Sequence, residues 1–252
     1  MGRIEERVAI VTGSAQGIGA AYAKALASEG ASVVIADVDD GRAVVDEIMA
    51  QGGDALNLVT DVSDETSTEN MVSATLERFG RIDILITNAA IFGKLDAKPF
   101  TEISVQEWDN LMAVNLRGVF ICAKAVVGQM RKQQYGKIIN IASGTLFKGT
   151  PNLLHYVTSK GAVLAMTRCL AREVGDDNIC VNTLAPGLVM SENVLAQPNF
   201  DDAAVDANTA TRALKRRQFP DDLVGAMLFL ASSDSDFMTG QCMVVDGGSV
   251  NH

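Results

Sequence analysis

The chain has 252 residues, of which 48% are hydrophobic and 21% are charged. This composition predicts a folded protein with a sizeable buried core and excludes disorder of the whole chain. The formal net charge of −10 argues against a nucleic-acid partner and against an anionic membrane surface, since both favour a basic face.

The N-terminal residues and the cysteines predict a cytoplasmic protein. The first seven residues contain no apolar core and no cleavage site, so we expect no secretory signal. No apolar run approaches the roughly 20 residues of a membrane span, so no span is expected. The cysteines show neither a C-x-x-C pair nor a zinc spacing, and we expect reduced, mostly buried thiols. They are Cys122, Cys169, Cys180 and Cys242. With only two histidines, no metal site is expected.

Short apolar runs alternate with segments of helical spacing along the chain. In the first half, the predicted order is strand 8–11, helix 18–26, strand 32–36, helix 40–50, strand 55–59, helix 64–79 and strand 82–86. In the second half, it is helix 105–131 (long enough for two helices in tandem), strand 137–141, helix 156–174, strand 179–184, helix 223–231 and strand 242–245. This alternation predicts one α/β domain over residues 1–252, a doubly wound Rossmann fold with a parallel seven-stranded sheet.

Residues 191–217 are the exception, because they show no strong period and are rich in Asp, Ala and Asn. We interpret them as a mobile segment with short helices, a candidate substrate lid. In doubly wound sheets, ligands bind outside the carboxyl ends of the strands, so we expect the functional site at that edge.

A glycine-rich turn, Thr12–Gly19, lies between the first strand and the first helix. Its glycines, Gly13, Gly17 and Gly19, follow the spacing G-x-x-x-G-x-G. Such a turn lets backbone N–H groups approach a pyrophosphate at a helix N-terminus. The preceding strand and the following helix make dinucleotide binding the favoured interpretation.

An acidic residue, Asp37, follows the second predicted strand. A carboxylate at this position can accept hydrogen bonds from the adenosine ribose hydroxyls, and it would repel a 2′-phosphate. Ser14 and Val38 are neutral and offer no cation for that phosphate, although Arg42 follows a few residues later. The sequence therefore predicts NAD as the cofactor. A structural role for Asp37 as a helix cap is possible, but Asp39 and Asp40 are better placed for it.

Tyr156 and Lys160 stand four residues apart in a predicted helix and so share one of its faces. An ammonium beside a phenol favours the phenolate, and we expect it to lower the pKa of Tyr156 from about 10 toward neutrality. A tyrosine poised in this way can take or give a proton at working pH.

Together these motifs resemble the short-chain dehydrogenase/reductase family, over about residues 7–248. The family's T-G-x-x-x-G-I-G motif is unbroken at Thr12–Gly19, and its Tyr-x-x-x-Lys motif is Tyr156–Lys160. The resemblance implies a catalytic serine at Ser143 and a catalytic asparagine at Asn115, beside Tyr156 and Lys160. The implied cofactor-binding residues are Gly13, Ser14, Gln16, Gly17, Ile18, Gly19, Asp37, Asp61, Val62, Asn88, Ala89, Ala90, Tyr156, Lys160, Pro186, Gly187, Val189 and Ser191.

One motif departs from the family pattern. After the fourth strand the family usually has Asn-Asn-Ala-Gly, whereas this chain has Thr87-Asn88-Ala89-Ala90. The methyl group of Ala90 stands where the backbone usually runs close to the cofactor, so we expect a small local shift.

The resemblance implies reversible hydride transfer between a carbinol carbon and nicotinamide. Tyr156 would exchange the proton, Lys160 would lower its pKa and hold the nicotinamide ribose, and Ser143 would orient the substrate oxygen. Asn115 would hold a water that links Lys160 to solvent.

The residues expected around the reacting carbon are mostly apolar, and no arginine is expected to bind a carboxylate or phosphate. The predicted substrate residues are Ser143, Thr145, Phe147, Leu153, Tyr156 and Met190. We therefore expect a mostly apolar, possibly ring-bearing secondary alcohol or its ketone, similar to the substrates of family members that act on aryl carbinols.

Two other functions stay open at this point. One is a 3-oxoacyl-[acyl-carrier-protein] reductase, which would prefer NADPH and a basic docking surface. The other is a catalytically idle NAD-binding scaffold, which should have lost some of the catalytic residues. The resemblance also implies a homotetramer, with the last strand and the long helices at its interfaces.

Overall fold

The computed structural model describes residues 2–93, 95–196 and 200–250, and its centre is a seven-stranded sheet. The strands are β1 Val8–Thr12, β2 Ser32–Asp37, β3 Asp54–Val59, β4 Ile84–Thr87, β5 Gly136–Ile141, β6 Ile179–Pro186 and β7 Cys242–Val245. Their order is β3-β2-β1-β4-β5-β6-β7, and all neighbours are parallel. The predicted Rossmann fold and its seven parallel strands are confirmed.

The inner strands are continuous apolar runs because helices cover both faces of the sheet. Every residue of β1, β4 and β5 is buried, whereas the edge strands β3 and β7 are partly exposed. Strand order reverses between β1 and β4, which opens a crevice at the carboxyl ends of these strands.

Ten helices form the two outer layers of the described residues. They are α1 Gly17–Ser28, α2 Arg42–Ala50, α3 Glu65–Phe79, α4 Val105–Met112, α5 Gly118–Gln133, α6 Thr145–Lys148, α7 Leu154–Glu173, α8 Glu192–Leu195, α9 Asp202–Ala210 and α10 Asp221–Ala231. Apolar residues of α1, α2 and α10 form the core on one face of the sheet, and those of α3 and α5, with the end of α7, form it on the other.

The long predicted helix 105–131 is indeed two helices, joined by a π-helical turn at Ala113–Arg117. The joined helix Val105–Gln133 is long and apolar enough to cross a membrane by length and composition, with a mean hydropathy of 1.6 over its best window. The expectation that no apolar run approaches a membrane span is therefore wrong. The same window is 44% buried inside the fold, and core helices of globular proteins share these properties.

The predicted lid contains the two short helices α8 and α9, while its residues 197–199 lie outside the described part of the chain. Apolar side chains of the lid form a small third core, made of Met190, Val194 and Val205 with Phe92, Leu188 and Phe200 against them. The mobility of the lid stays a prediction.

The four cysteines are free thiols, but only Cys122 is buried, and Cys169 is exposed. The expectation of mostly buried thiols is wrong, because Cys169 lies on the solvent side of α7 and the other two lie at partly exposed edge positions. Burial raises the pKa of the Cys122 thiol to about 12.

Candidate active site

A cavity of about 720 Å³ opens at the carboxyl edge of the sheet, between the glycine-rich turn, the ends of β2 to β6 and the lid. It brings together most of the residues predicted from the sequence. The predicted residues that line it are Gly13, Gln16, Gly17, Ile18, Asp37, Asp61, Val62, Asn88, Ala89, Ala90, Ser143, Thr145, Leu153, Tyr156, Lys160, Pro186, Gly187, Val189 and Ser191.

The glycine-rich turn needs its glycines for conformation and for space. Gly13 and Gly17 have φ angles of +64° and +59°, in the left-handed region that favours glycine. A Cβ on Gly19 would lie 2.2 Å from the carbonyl oxygen of Gly13. The first turn of α1 therefore packs directly on the loop that precedes it, and its free N–H groups open onto the cavity.

Thr12 and Asn88 hold this turn against the end of β4. The Thr12 hydroxyl oxygen accepts the backbone N–H groups of Asn88 and Ala89, both at 3.1 Å. The Asn88 amide donates to the carbonyl oxygens of Thr12 and Gly13 at 3.1 and 2.8 Å. The cradle for a pyrophosphate is thus fixed by side chains before any ligand binds.

Asp37 is anchored at the far end of the same cradle. Its carboxylate accepts the N–H of Ala15 at 2.9 Å and the N–H of Asp39 at 3.1 Å. Arg42, the cation nearest in sequence, is 78% exposed, pairs with Asp40 and does not line the cavity. Among the described residues, this end of the cavity carries only carboxylates as charged groups.

Two predicted cofactor residues face away from the cavity. The Ser14 hydroxyl is buried, donates to the Val11 carbonyl at 2.6 Å and accepts the Ala36 N–H at 3.2 Å, so it joins β1 to β2. Gly19 lies behind the turn and acts by its lack of a side chain. Neither residue lines the cavity, and contact of either with the cofactor stays a prediction.

Tyr156, Lys160 and Ser143 lie together at the middle of the cavity, and all three are buried. The Lys160 ammonium lies 5.8 Å from the centre of the Tyr156 ring and donates to the Ile141 carbonyl at 2.8 Å. The Ser143 hydroxyl lies at the end of β5 and accepts from the Thr145 N–H at 3.3 Å. The predicted convergence of these three side chains on one site is therefore present.

The prediction that Lys160 lowers the pKa of Tyr156 toward neutrality is wrong for the protein without ligands. Burial raises the pKa of Tyr156 to about 12, while a hydrogen bond with Ser143 acts weakly in the opposite direction. Burial also lowers the pKa of Lys160 to about 8. The physical reason is desolvation, which disfavours both charged forms and outweighs the attraction between a phenolate and an ammonium at this separation.

Asn115 lies just outside the cavity wall, in the π-helical turn. Its side-chain oxygen accepts the Ile91 N–H at 2.7 Å, and its amide donates to the Ile91 carbonyl at 3.2 Å and to the Ser159 hydroxyl at 3.5 Å. The side chain therefore braces the loop after β4, and its part in a proton relay stays a prediction.

Two predicted substrate residues do not line the cavity. Phe147 lines a separate groove beside β7, and Met190 packs into the small core of the lid. Phe92 and Phe200, which the sequence analysis missed, line the cavity instead. The Phe92 ring lies 4.8 Å from the Tyr156 ring and 5.8 Å from the Phe200 ring, so an aromatic wall stands beside the reacting group.

The sequence analysis also missed a polar wall opposite the aromatic one. Lys148, Asn208, Arg212 and Asp246 line the cavity there. Arg212 folds back from the segment after α9 onto the loop after β6, where its guanidinium donates to the Leu188 carbonyl at 2.7 Å. The sequence analysis did not place an arginine at this cavity, and its expectation that no arginine binds a carboxylate or phosphate stays untested. No periodic pattern in the sequence could have indicated this approach.

The residues present fit a nicotinamide dinucleotide. The glycine-rich turn offers unpaired N–H groups for a pyrophosphate, Asp37 stands where adenosine ribose hydroxyls would bind, and Tyr156 and Lys160 stand where β5 and α7 meet the cavity. These features define the class as a dinucleotide-dependent oxidoreductase.

Comparisons with known proteins agree with this class. The chain matches the family described as Enoyl-(Acyl carrier protein) reductase over residues 13–250. It is 41% identical over 250 residues to the (2S)-[(R)-hydroxy(phenyl)methyl]succinyl-CoA dehydrogenase subunit BbsD of Thauera aromatica, with 97% of each chain covered. It is 36% identical over 253 residues to the cyclopentanol dehydrogenase of Comamonas testosteroni, with 98% of each chain covered.

A solved structure is similar over nearly the whole chain. A protein from Beutenbergia cavernae, assigned as an NAD(P)-dependent gluconate 5-dehydrogenase and holding NADP at low occupancy, superposes with a TM-score of 0.91. It is 36% identical, and the match covers 98% of this chain and 97% of the other. The chain belongs to the short-chain dehydrogenase/reductase family. It is an NAD(P)-dependent oxidoreductase that acts on alcohols or ketones.

Proposed function

We propose that the protein is an NAD-dependent dehydrogenase of a secondary alcohol that carries a ring or another mostly apolar group beside its carbinol carbon. The observation that carries the proposal is the convergence of Tyr156, Lys160 and Ser143 between an aromatic wall and a dinucleotide cradle. Alcohol oxidation and ketone reduction are the two directions of one reaction at such a site.

The protein's own groups divide the work of oxidation. Ser143 and Tyr156 bind the substrate hydroxyl and fix its orientation, and Tyr156 accepts its proton as the carbonyl forms. Lys160 is the cation that the chain brings to the phenol, and its positive charge would stabilise the phenolate that forms when Tyr156 gives up a proton. When bound, the nicotinamide supplies the hydride acceptor. In reduction, Tyr156 returns the proton to the carbonyl oxygen.

The shape of the substrate is argued from the wall beside Tyr156. Phe92, Phe200, Leu153 and Val194 line that part of the cavity and favour an apolar group, with a ring suited to the tilted aromatic pair. The names of two relatives point the same way, since one acts on a phenyl-bearing compound and another on cyclopentanol.

The preference for NAD is argued from charge. The adenosine end is lined by Asp37, Asp39 and Asp61, and no described basic side chain lines it. A 2′-phosphate placed there would meet negative charge without a partner, at a cost that screening by salt reduces only in part. NADP bound to the Beutenbergia cavernae protein is the observation that makes a direct comparison necessary.

The function is tested with Tyr156→Phe and the matched control Tyr22→Phe. Tyr22 is also fully buried, but its hydroxyl has no hydrogen-bond partner among the described residues and lies away from the cavity. Tyr156→Phe should lower kcat for 1-phenylethanol or cyclopentanol at least a thousandfold while NADH still binds by fluorescence, and Tyr22→Phe should keep its rate. Near-normal turnover by Tyr156→Phe would overturn the assignment. Tight NADH binding by wild type without turnover of any alcohol would favour an idle scaffold.

The cofactor preference is tested with Asp37→Asn. The wild type should show a kcat/KM for NADH at least tenfold above that for NADPH, because the carboxylate binds ribose hydroxyls and repels phosphate. Asp37→Asn should lower this ratio several-fold, and Asp46→Asn, an exposed acid of α2 outside the cavity, should leave it unchanged. A wild-type preference for NADPH would instead favour the 3-oxoacyl reductase alternative.

We further propose a cytoplasmic homotetramer, with α4, α5 and β7 at its interfaces. Val105 and Phe120, on α4 and α5, are 77% and 49% exposed. Burying them against a second copy would remove this exposed surface from water.

A further inference from the structure

Arg212 is a buried cation on the cavity wall, with only 3% of its surface exposed. Its two terminal nitrogens donate to the carbonyl oxygens of Leu188 and Arg216, at 2.7 and 2.9 Å, and to the Asn208 side chain at 3.1 Å. These acceptors are all neutral, and the third nitrogen, Nε, has no partner among the described residues. Hydrogen bonding thus leaves the guanidinium charge without a paired anion.

Lys148 approaches the same wall from the end of α6. Its ammonium contacts the hydroxyl groups of Thr211 and Ser249, and Thr211 precedes Arg212 in the chain. The Thr211 and Ser249 hydroxyls also bond to each other at 2.7 Å. Lys148 therefore contacts a small, exposed cluster of hydroxyl groups at the cavity, one of which belongs to the residue before Arg212, and Lys148 forms no ion pair within the described residues.

The acidic groups near this cluster are already engaged. Asp246 lines the cavity, but its two oxygens accept the backbone N–H groups of Gly248, Ser249 and Val250, each at 3.0 Å. Asp222 binds Arg216 through two hydrogen bonds. Burial lowers the pKa of Arg212, the charges of Asp246 and Asp222 act in the opposite direction, and the charge of Arg216 lowers it further.

The cluster is also close to the reacting end of the cavity. The N–H of Gly144, the residue after Ser143, donates to the Pro186 carbonyl at 2.7 Å, and a Cβ at Gly144 would lie 3.6 Å from a carboxylate oxygen of Asp246. Thr145 and Lys148 stand three residues apart in α6, on one helix face, and both line the cavity. A substrate held by Ser143 and Tyr156 can therefore extend toward the cluster.

We propose that the substrate carries an anionic group, a carboxylate or the equivalent, which Lys148 and the Thr211–Ser249 hydroxyls bind while Arg212 supplies positive charge from behind. This inference rests on the proposed function and adds to it: the carbinol end is apolar and ring-bearing, and the remote end is negative. Lys148 is the residue that contacts the anionic group. Arg212 is a positioning residue, which acts through its positive charge and through its hydrogen bonds to the backbone carbonyls of Leu188 and Arg216.

Arg212 could instead serve only to hold the lid backbone in place through its hydrogen bonds. That role does not explain why the position carries an arginine. Backbone carbonyls and an asparagine side chain could be satisfied by neutral donors, whereas a buried cation without a partner is costly. An anionic ligand would offset that cost, because the buried guanidinium would gain an opposite charge nearby and the exposed ammonium of Lys148 would add a charge-assisted hydrogen bond.

The test uses paired substrates, an acid and its methyl ester, which differ in charge and in one added methyl group: 4-(1-hydroxyethyl)benzoate and 3-[4-(1-hydroxyethyl)phenyl]propanoate, each beside its ester. At least one acid should exceed its ester tenfold in kcat/KM. Lys148→Met should lower this acid-to-ester ratio at least fivefold, and Lys148→Arg should keep most of it. Lys132→Met removes an exposed lysine outside the cavity and should leave the ratio unchanged. Esters that match or exceed both acids, or a ratio that Lys148→Met leaves unchanged, would overturn the proposal.

Arg212 is tested with Arg212→Gln and Arg212→Lys, after thermal unfolding has shown that each variant folds. The lysine variant should keep the acid-to-ester ratio and the glutamine variant should lose it, whereas pure lid bracing would change the rates of acid and ester equally. If Arg212→Gln does not fold, the Lys148 variants decide.

Failure of the proposed function is separated from failure of this inference by a binding measurement. If neither acids nor esters are oxidised, the proposed substrate class is wrong. Calorimetric titration of the NADH complex with 4-acetylbenzoate and its methyl ester then decides the anion site. Tighter binding of the acid that Lys148→Met weakens at least fivefold supports it, and equal binding, or none, overturns it.

Discussion

Two ionisable side chains, Tyr156 and Lys160, are held out of water at the middle of the cavity, and each is shifted toward its neutral form. Burial raises the pKa of Tyr156 to about 12 and lowers that of Lys160 to about 8. Because a buried charge needs a partner, ionisation of the phenol depends on what else occupies the site. In the protein alone, burial therefore favours the protonated phenol.

The buried ammonium should leave a signature in stability against pH. Lys160 has an ordinary pKa of 10.5 and a folded value of about 8, so between these values the unfolded chain binds more protons than the folded one. Relative to Lys160→Met, the wild type should therefore gain stability as pH rises from 7 to 9.5, by roughly 2 kcal/mol.

Urea unfolding of wild type and Lys160→Met at both pH values measures this difference. Lys132→Met, which removes an exposed lysine of α5, sets the baseline for the loss of a surface lysine. A difference that stays flat or shrinks over this range would mean that the ammonium remains charged in the folded state up to its ordinary pKa.

At the scale of the element, the first βα turn depends on close packing between α1 and the loop before it. A Cβ at Gly19 would meet the Gly13 carbonyl oxygen at 2.2 Å, the Asn88 amide nitrogen at 2.7 Å and the Ser14 Cα at 2.8 Å. Two of these three atoms are backbone, so relief of the clash requires the loop to move.

We expect Gly19→Ala to lower stability by about 1–3 kcal/mol and to weaken NADH binding at least tenfold, because the displaced loop is the pyrophosphate cradle. The matched control is Gly225→Ala in α10, where a Cβ has nothing within 4 Å. That change should stabilise by up to about 1 kcal/mol through helix propensity and leave binding unchanged. Equal effects of the two substitutions would argue against close packing as the reason for Gly19.

The elements also show why sequence alone placed some side chains wrongly. Val189 and Ser191 line the cavity, whereas Met190 lies at the centre of a tight turn, in which the Ser191 N–H donates to the Val189 carbonyl at 2.9 Å, and packs into the small third core. In α6, Thr145 lines the cavity, and Phe147, two residues later, is turned by about 200° into another groove. Closeness in the sequence to Ser143 and to Pro186-Gly187 therefore predicted that these residues lie near the cavity, but not which way their side chains point.

For the whole molecule, strand–helix alternation was enough to predict the topology, since parallel sheets covered on both faces leave a strong apolar pattern. The dinucleotide half of the site was equally predictable, because its residues belong to short continuous motifs such as Thr12–Gly19. Phe92, Lys148 and Arg212 were not, because they lie in loops or a one-turn helix without periodicity and meet only through tertiary packing. The substrate half is therefore where the structure adds most.

Assembly is a further property of the whole molecule. The proposed homotetramer should have a native mass near four times 26.7 kDa, measured by light scattering. Phe120→Asp should lower this mass by placing a charge in the α5 interface. Met49→Asp, at an exposed apolar site on α2, should leave it unchanged. A monomer for wild type, or a tetramer that Phe120→Asp leaves intact, would remove α5 from the interface.

The carboxylate of Asp37 faces the adenosine end and also accepts the Ala15 N–H of the glycine-rich turn. A substitution of Asp37 meant to make the enzyme accept NADP would therefore change two properties at once: the choice between NAD and NADP, and the order of the glycine-rich turn. Asp37→Ala would leave the Ala15 N–H in the glycine-rich turn without its acceptor and would lower the affinity for both NAD and NADP. This general loss would hide a change in the preference between them. An asparagine retains an acceptor oxygen while discarding the charge, which makes it the cleaner starting point for redesign.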